Sequence, residues 1–372
     1  MSRLEIRFFP FRCWMGAVSQ QLTQLSISGG GGGVNNKDDA AGHGAVVEEI
    51  NGLIRLYKDG HVERLPAVAD VPCTWTPQPG VVSQDVSLAP SAALWARLHL
   101  PAHPLQTRAR LLPLLVYFHG GGFCVGSPSW RCYHEFLARL AAHAACAVLS
   151  VSYRLAPEHR LPAAFQDGLS ALRWVRQQAA PSLREDPAGS WRARCDFGRV
   201  FLGGDSAGAA IAYRVAAAGG MDPAAPRSAF CLRGVILIQP FFGGVERTSS
   251  EKNQPAPKAS SALTPSTSDC YWRMALPAGA DRDHPWCNPL SKKAPPAEVQ
   301  RLPPLLVCVS DLDILRDRNL DLCKALRYSG ESVEEKTYAD VGHAFQVLHN
   351  YPMSQNRTID MLADIKAFIS SR

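Results

Sequence analysis

A β-strand buried on both faces has no water-facing side to encode, so it reads as an unbroken apolar run. This chain contains a series of such runs, and the segments between them carry helical spacing. Leu112 to Phe118 is the first. The run AVLSVSY, ending at Tyr153, is the second, followed by Val200 to Gly203, Gly234 to Ile238 and Leu305 to Val309. A more polar strand, VEEKTY, is expected at Val333 to Tyr338. Helical patterns fill Tyr133 to Ala145, Ala163 to Gln178, Ala207 to Ala218, Leu315 to Tyr328 and Met353 to Ile369. Strands alternating with helices predict an α/β fold, a mostly parallel central sheet with helices on both faces. Two alternating runs upstream, VVSQDVSL and ALWARLHL, predict antiparallel strands at one sheet edge.

At 372 residues the chain accommodates one large α/β domain with insertions. Residues 1 to about 44 read as a disordered extension, because SISGGGGGVNNKDDAAGHG pairs five consecutive glycines with polar residues that have nothing to bury. The single domain is expected over 45–372. Its first segment, EEINGLIRLYKDGHVERL, has two short alternating runs around Asp59-Gly60, a hairpin signal. One stretch breaks the strand–helix rhythm. Residues 243–303 are rich in Ser, Pro, Lys and Asn, with a small helix around Ser268 to Met274, and lie between two core strands. With residues 45–75 they are expected to form a cap above the sheet. No internal repeat is visible.

The bulk chemistry excludes several function classes. Net charge is +6, but no five Lys or Arg run together and none interleave with aromatics, so no nucleic-acid surface is expected. No apolar run reaches the roughly 18–20 residues of a membrane span. Eleven cysteines lie singly, without a C-x-x-C pair or zinc spacing, and several sit in apolar runs, such as Cys146 and Cys308. Reduced, buried thiols and no metal site are therefore expected, with the cytoplasm (and the nucleus as a second compartment) as the location. The N-terminus carries Arg3, Arg7 and Arg12 in the manner of a transit peptide; Glu5 runs against that, and a start at Met15 is a further alternative.

Chemistry concentrates at the strand ends. Gly204-Asp205-Ser206-Ala207-Gly208 matches G-x-S-x-G, follows an apolar strand and opens an alanine-rich helix. So tight a strand-to-helix turn strains the backbone at Ser206 and requires glycines two positions either side. It also places the following amides at a helix N-terminus, which favours negative charge. His119-Gly120-Gly121-Gly122-Phe123 follows the first apolar strand. Acyl transfer needs backbone N–H groups aimed at a developing oxyanion, and side chains there would block the approach. Gly121, Gly122 and Ala207 are the expected donors. A serine hydroxyl needs a base, which later in the chain is His343 or His349; His343 is favoured because its loop directly follows the strand VEEKTY. The acid follows LLVCVS, where Asp311 and Asp313 both qualify by position, while Asp317 lies a turn into the helix as a capping or solvated residue.

Taken together, HGGGF, GDSAG, D-x-L-x-D and GHAF resemble the hormone-sensitive-lipase branch of α/β hydrolases. INGLIRLYKDGHVERL, SYRLAPEHRLPAAF, SSALTPSTSDCYWRMALP and DHPWCNPL bring the likeness closer to plant carboxylesterases, the group that includes the gibberellin receptors. The resemblance covers residues 46–372 and implies an α/β-hydrolase fold. It selects Asp313, first of the D-x-L-x-D pattern, as the acid. It implies a Ser206, Asp313 and His343 triad hydrolysing an ester without a cofactor. Tyr153, Arg154, Glu158 and Asp167 also match, as structural polar residues beneath the site. The receptors of this group lack the catalytic histidine and alter the HGGG loop, and its dehydratases carry Thr at the Ser206 position, so the intact residues here imply turnover rather than hormone binding. Phe241, Phe242, Tyr271, Trp272 and Trp286 are the candidate substrate-facing aromatics, each equally placed to be cap core, and they suggest a small or medium, apolar ester.

Overall fold

The computed structural model describes residues 42–89, 94–102, 111–179, 190–219, 230–253, 262–292, 302–348 and 351–372. The expected disordered extension falls, up to residue 41, outside them, as does His349.

The central sheet has eight strands. β4 (Val81–Ala89), β5 (Leu94–Pro101), β6 (Leu112–Phe118), β7 (Ala147–Ser152), β8 (Cys195–Asp205), β9 (Leu232–Ile238), β10 (Leu305–Ser310) and β11 (Val333–Tyr338) lie in the order β11-β10-β9-β8-β6-β7-β5-β4. The six strands from β6 onward pair in parallel. β5 joins β7 antiparallel, and β4 continues antiparallel at the edge, as the alternating upstream runs predicted. β8 is longer than the short apolar run suggested. Its polar start, Cys195-Asp196, pairs with Leu112-Pro113 before a register shift, so backbone pairing extends the strand where side-chain pattern does not.

The pleat sends successive side chains to opposite faces. On β6, Leu114, Val116 and Phe118 enter one core layer while Leu115 and Tyr117 enter the other. α1 (Arg131–Ala144) and α7 (Pro352–Ser370) cover the second face. α2 (Ala163–Gln178), α3 (Ala207–Gly219) and α6 (Arg316–Tyr328) cover the first. Burying each such Leu, Val or Phe contributes ~2 kcal/mol, which is why both faces must be roofed.

The N-terminal segment forms a separate three-stranded antiparallel sheet, β1 (Val46–Ile50), β2 (Ile54–Tyr57) and β3 (Val62–Arg64). The Asp59-Gly60 hairpin is present between β2 and β3, and a further strand, β1, pairs on its other side. The other irregular segment carries α4 (Ser249–Lys252) and α5 (Pro265–Ala275). Thr264 caps α5 by accepting from the Thr267 N–H, with Pro265 in the first turn. Glu48 of β1 grips Arg273 of α5 through two hydrogen bonds of 2.5 and 2.8 Å. Arg64 of β3 forks onto Glu158 at 2.6 and 2.7 Å and donates to the Cys124 and Ala156 carbonyls. Among the described residues no helix is long and apolar enough to cross a membrane, no His/Cys/Asp/Glu group is arranged for a metal, and each described cysteine is free.

Candidate active site

The residues singled out by the motifs converge at the carboxyl ends of β6, β8, β10 and β11. Ser206 caps β8 at φ 53°, a left-handed conformation that costs a non-glycine residue ~1–2 kcal/mol. Packing enforces it. A Cβ on Gly208 would lie 1.9 Å from the Phe118 carbonyl oxygen, and one on Gly204 would lie 2.4 Å from the Gly208 backbone. The turn is pinned by the Ser206 N–H donating to Ile238 O at 2.8 Å and by Phe241 N–H donating to Ser206 O at 3.0 Å.

His343 follows β11 and is buried. Its Nε2 lies 2.9 Å from Ser206 Oγ and its Nδ1 2.7 Å from Asp313 Oδ2. A carboxylate only accepts, so the proton sits on Nδ1 and leaves Nε2 to accept from the serine hydroxyl. The second Asp313 oxygen accepts from Leu315 N–H at 3.0 Å. Asp311, the positional alternative, is half-buried and makes no contact with His343; its N–H donates to Tyr338 O. Asp317 ties α4 to α6 instead, accepting from Ser250 N–H at 2.7 Å.

Gly121 and Gly122 take φ of 110° and 59°. Their side-chain positions are occupied: a Cβ on Gly121 would strike Val125 O at 2.1 Å, and one on Gly122 the Tyr271 ring at 2.2 Å. Among the described residues none accepts a hydrogen bond from the N–H groups of Gly121, Gly122 or Ala207. Ala207 starts α3, so its N–H also carries the positive end of the helix dipole. His119 is fully buried, its Nδ1–H donating to Gly120 O at 2.8 Å and its ring stacked 4.3 Å from Tyr153. Burial pushes His119 down to about 4, so the ring stays neutral. Tyr153 OH donates to His119 O at 2.8 Å, and Arg154 forks onto Asp167. Glu158 receives Arg64. All four are therefore engaged in holding loops.

Sequence reasoning missed Gln239. It sits buried just past β9 at φ 48°. Its Oε1 accepts from Ala344 N–H at 2.7 Å, while its Nε2 donates to Gly342 O at 3.3 Å and to Ser310 Oγ. Both neighbours of His343 are thus gripped. The available signal was an amide side chain closing an otherwise apolar strand, LRGVILIQ.

Ser206 and His343 open into a cavity of about 470 Å³. Leu53 and Val68 come from the N-terminal segment, Leu263 and Tyr271 from the α5 region, Trp130 from the start of α1 and Phe241 from just past the end of β9. The aromatic expectation needs correction. Phe241 and Tyr271 line the cavity, but Phe242 and Trp272 are core: Trp272 is fully buried and stacks 4.6 Å from Phe241, and Phe242 packs edge-on against Tyr213. Trp286 lies against Phe165 and His284, away from the lining. Large aromatics next to a site pack against one another first, and only those at the surface of that cluster meet the cavity.

A family profile described as alpha/beta hydrolase fold matches residues 115–347, which span both glycine motifs, Asp313 and His343. The chain belongs to the α/β-hydrolase family. Within it, the chain is 44% identical to the probable carboxylesterase 6 of Arabidopsis thaliana, over 90% of this chain and 94% of that protein. It is 35% identical to the 2-hydroxyisoflavanone dehydratase of Glycyrrhiza echinata, over 86% of this chain and 95% of the other. Among solved structures, the esterase of Pyrobaculum calidifontis matches with a TM-score of 0.62 and 27% identity, covering 78% of this chain and 85% of that one. The expected α/β-hydrolase fold and the resemblance to plant carboxylesterases are both borne out.

Proposed function

We propose that the chain is a serine carboxylesterase in which Ser206 is the nucleophile, His343 the general base and acid, and Asp313 the residue that holds His343. Ser206 Oγ attacks the ester carbonyl as His343 Nε2 takes its proton. The oxyanion is met by the N–H groups of Gly121, Gly122 and Ala207. His343 then protonates the departing alcohol, leaving an acyl-serine. Water repeats the attack with His343 again as base, releasing the carboxylic acid and restoring Ser206. No step requires a cofactor. The observation that carries the reading is the unbroken series Ser206 Oγ, His343 Nε2, His343 Nδ1, Asp313 Oδ2, at 2.9 and 2.7 Å, on the floor of an apolar cavity.

The substrate class is a small or medium, largely apolar ester. About 470 Å³ suits a molecule of drug-like size or smaller, and the described lining carries no Lys or Arg to meet an anionic group. β1–β3 and the α5 region act as the cap, since Leu53, Val68, Leu263 and Tyr271 close the cavity over Ser206. Esters of graded acyl length, with a fluorophosphonate as covalent probe, test the reading. Ser206→Ala should abolish labelling and lower kcat/KM by ~10³-fold or more, with His343→Ala nearly as damaging. Labelling that persists in Ser206→Ala would overturn it.

A further inference from the structure

Asp205 is a charge-bearing group for which the reaction above has no use. It precedes Ser206, is 1% exposed, and is surrounded by donors. Oδ1 accepts from Tyr117 OH at 2.8 Å and from Gly120 N–H at 3.1 Å; Oδ2 accepts from Tyr133 OH at 3.0 Å. Tyr133 OH in turn accepts from the same Gly120 N–H at 2.8 Å. The carboxylate packs so tightly on this peptide that a Cβ on Gly120 would lie 2.6 Å from Oδ2. Gly120 is the last residue before the two glycines that face the reacting carbonyl. The far side of that loop is tied by backbone and by Arg64: Cys124 and Val125 N–H donate to Gly121 O at 3.0 Å, Ala156 N–H donates to Phe123 O at 2.9 Å, and Arg64 donates to Cys124 O at 2.8 Å. One end of the loop therefore hangs on an ionisable side chain of the nucleophile turn.

We propose that Asp205 is a positioning residue, whose ionised carboxyl sets the distance between the Gly121 and Gly122 amides and Ser206 by anchoring Gly120. The proposal rests on the esterase reading and deepens it. Hydrogen bonds to an ionised acceptor are shorter and about twice as strong as neutral ones. Here three donors converge on two oxygens. Protonation turns one oxygen into a donor that only a tyrosine hydroxyl can receive, which must then turn its own proton away, and every remaining contact loses its ionised acceptor. Burial pushes the Asp205 carboxyl up to about 6, against the opposing pull of Tyr117, Tyr133, His343 and the Gly120 N–H. Cys132 and Tyr153 are the other titratable groups facing it, both kept neutral by burial. The carboxyl is thus ionised at pH 8 and neutral at pH 5. Because the fold itself favours the neutral form, Asp205→Asn is expected to fold.

The test compares wild type, Asp205→Asn and Tyr133→Phe for a neutral acyl ester between pH 5 and 8, after fluorophosphonate labelling has verified Ser206 in each. At pH 8, Asp205→Asn should lower kcat by ~10- to 100-fold with KM near wild type, since a misplaced oxyanion donor acts on the transition state. The inhibition constant of a trifluoromethyl ketone, which forms a hemiketal oxyanion on Ser206, should rise by the same factor. The decisive readout is pH. The wild-type to Asp205→Asn ratio should shrink to within about threefold at pH 5, where the wild-type carboxyl is itself neutral. Tyr133→Phe, which keeps the charge but removes one acceptor from Gly120, should lower kcat several-fold at all pH values. A wild-type to Asp205→Asn ratio that stays constant with pH, or equals one throughout, overturns the proposal, as does a rise in KM alone in either variant. A wild type that no fluorophosphonate labels at Ser206 overturns the esterase reading instead.

Discussion

The turn at Ser206 and the loop at His343 both hold non-glycine residues in left-handed backbone, yet they are stabilised by opposite means. At the turn, Ser206 is at φ 53°, and what allows it is absence: Gly204 and Gly208 leave room for the Phe118 backbone to pass. The steric allowance itself lies within five consecutive residues and the strand beside them. In the loop, Asp340 and Ala344 sit at φ 62° and 58°, and Gly342 is the one glycine among the three residues between them. What allows it there is a remote side chain, Gln239, more than a hundred positions upstream, bonded to Gly342 and Ala344. Local strain can be relieved by removing atoms or by adding hydrogen bonds, and only the first leaves a contiguous signature.

The largest expected effect attacks the steric arm of this contrast. Gly208→Ala places a carbon 1.9 Å from Phe118 O with no flexible atom to yield, so destabilisation of ~4 kcal/mol or more is expected, read as lost soluble yield or a lower urea midpoint. Near wild-type folding would mean that the turn is not sterically locked. Next comes the acid. Asp313→Asn should lower kcat by ~10³- to 10⁴-fold in a folded protein, because the amide presents the wrong partner to His343 Nδ1–H, whereas Asp311→Asn should stay within about twofold. Comparable losses at both positions would undo the assignment drawn from the 2.7 Å contact.

The hydrogen-bonded arm is tested by Gln239→Leu. Three partners lose their bonds, so ~2–3 kcal/mol of stability and ~10-fold in kcat are expected, with hydrogen exchange rising around His343 and not around Ser206. Protection lost equally at both regions would erase the distinction. The smallest effect is expected at the N-terminal sheet. The Arg273 and Glu48 pair is partly exposed, with Arg273 at 57%, so Arg273→Ala should cost ~1 kcal/mol or less and shift KM for the bulkier esters more than kcat. A fall in kcat for all esters would show that β1 acts on the reacting groups and not on access.

Much of the sheet was legible because it is buried on both faces. Leu112–Phe118 coincides with the expected apolar run, as does the helix Ala163–Gln178 with its spacing. The edge strand Val333–Tyr338 also lies where expected, although its polar residues leave it partly exposed. The start of β8 was not, since Cys195 and Asp196 join by backbone pairing that side-chain pattern does not record. The glycine motifs led directly to where Ser206 and the loop at Gly121 stand in space. The substrate-facing aromatics did not follow from composition. Phe241 and Phe242 are neighbours in sequence, yet one faces the cavity and the other packs on Tyr213.

What the sequence determined by itself is whatever depends on spacing along the chain: strand and helix periodicity, the glycines that permit close backbone approach, and the order of Ser206, Asp313 and His343. Tertiary structure alone decided which aromatics border the cavity, how Gln239 grips a loop a hundred residues away, and that Asp205 shares Gly120 with Tyr133. Each of these is a contact between segments far apart in the chain. Its energy depends on distances of about 3 Å, which residue type and spacing do not specify.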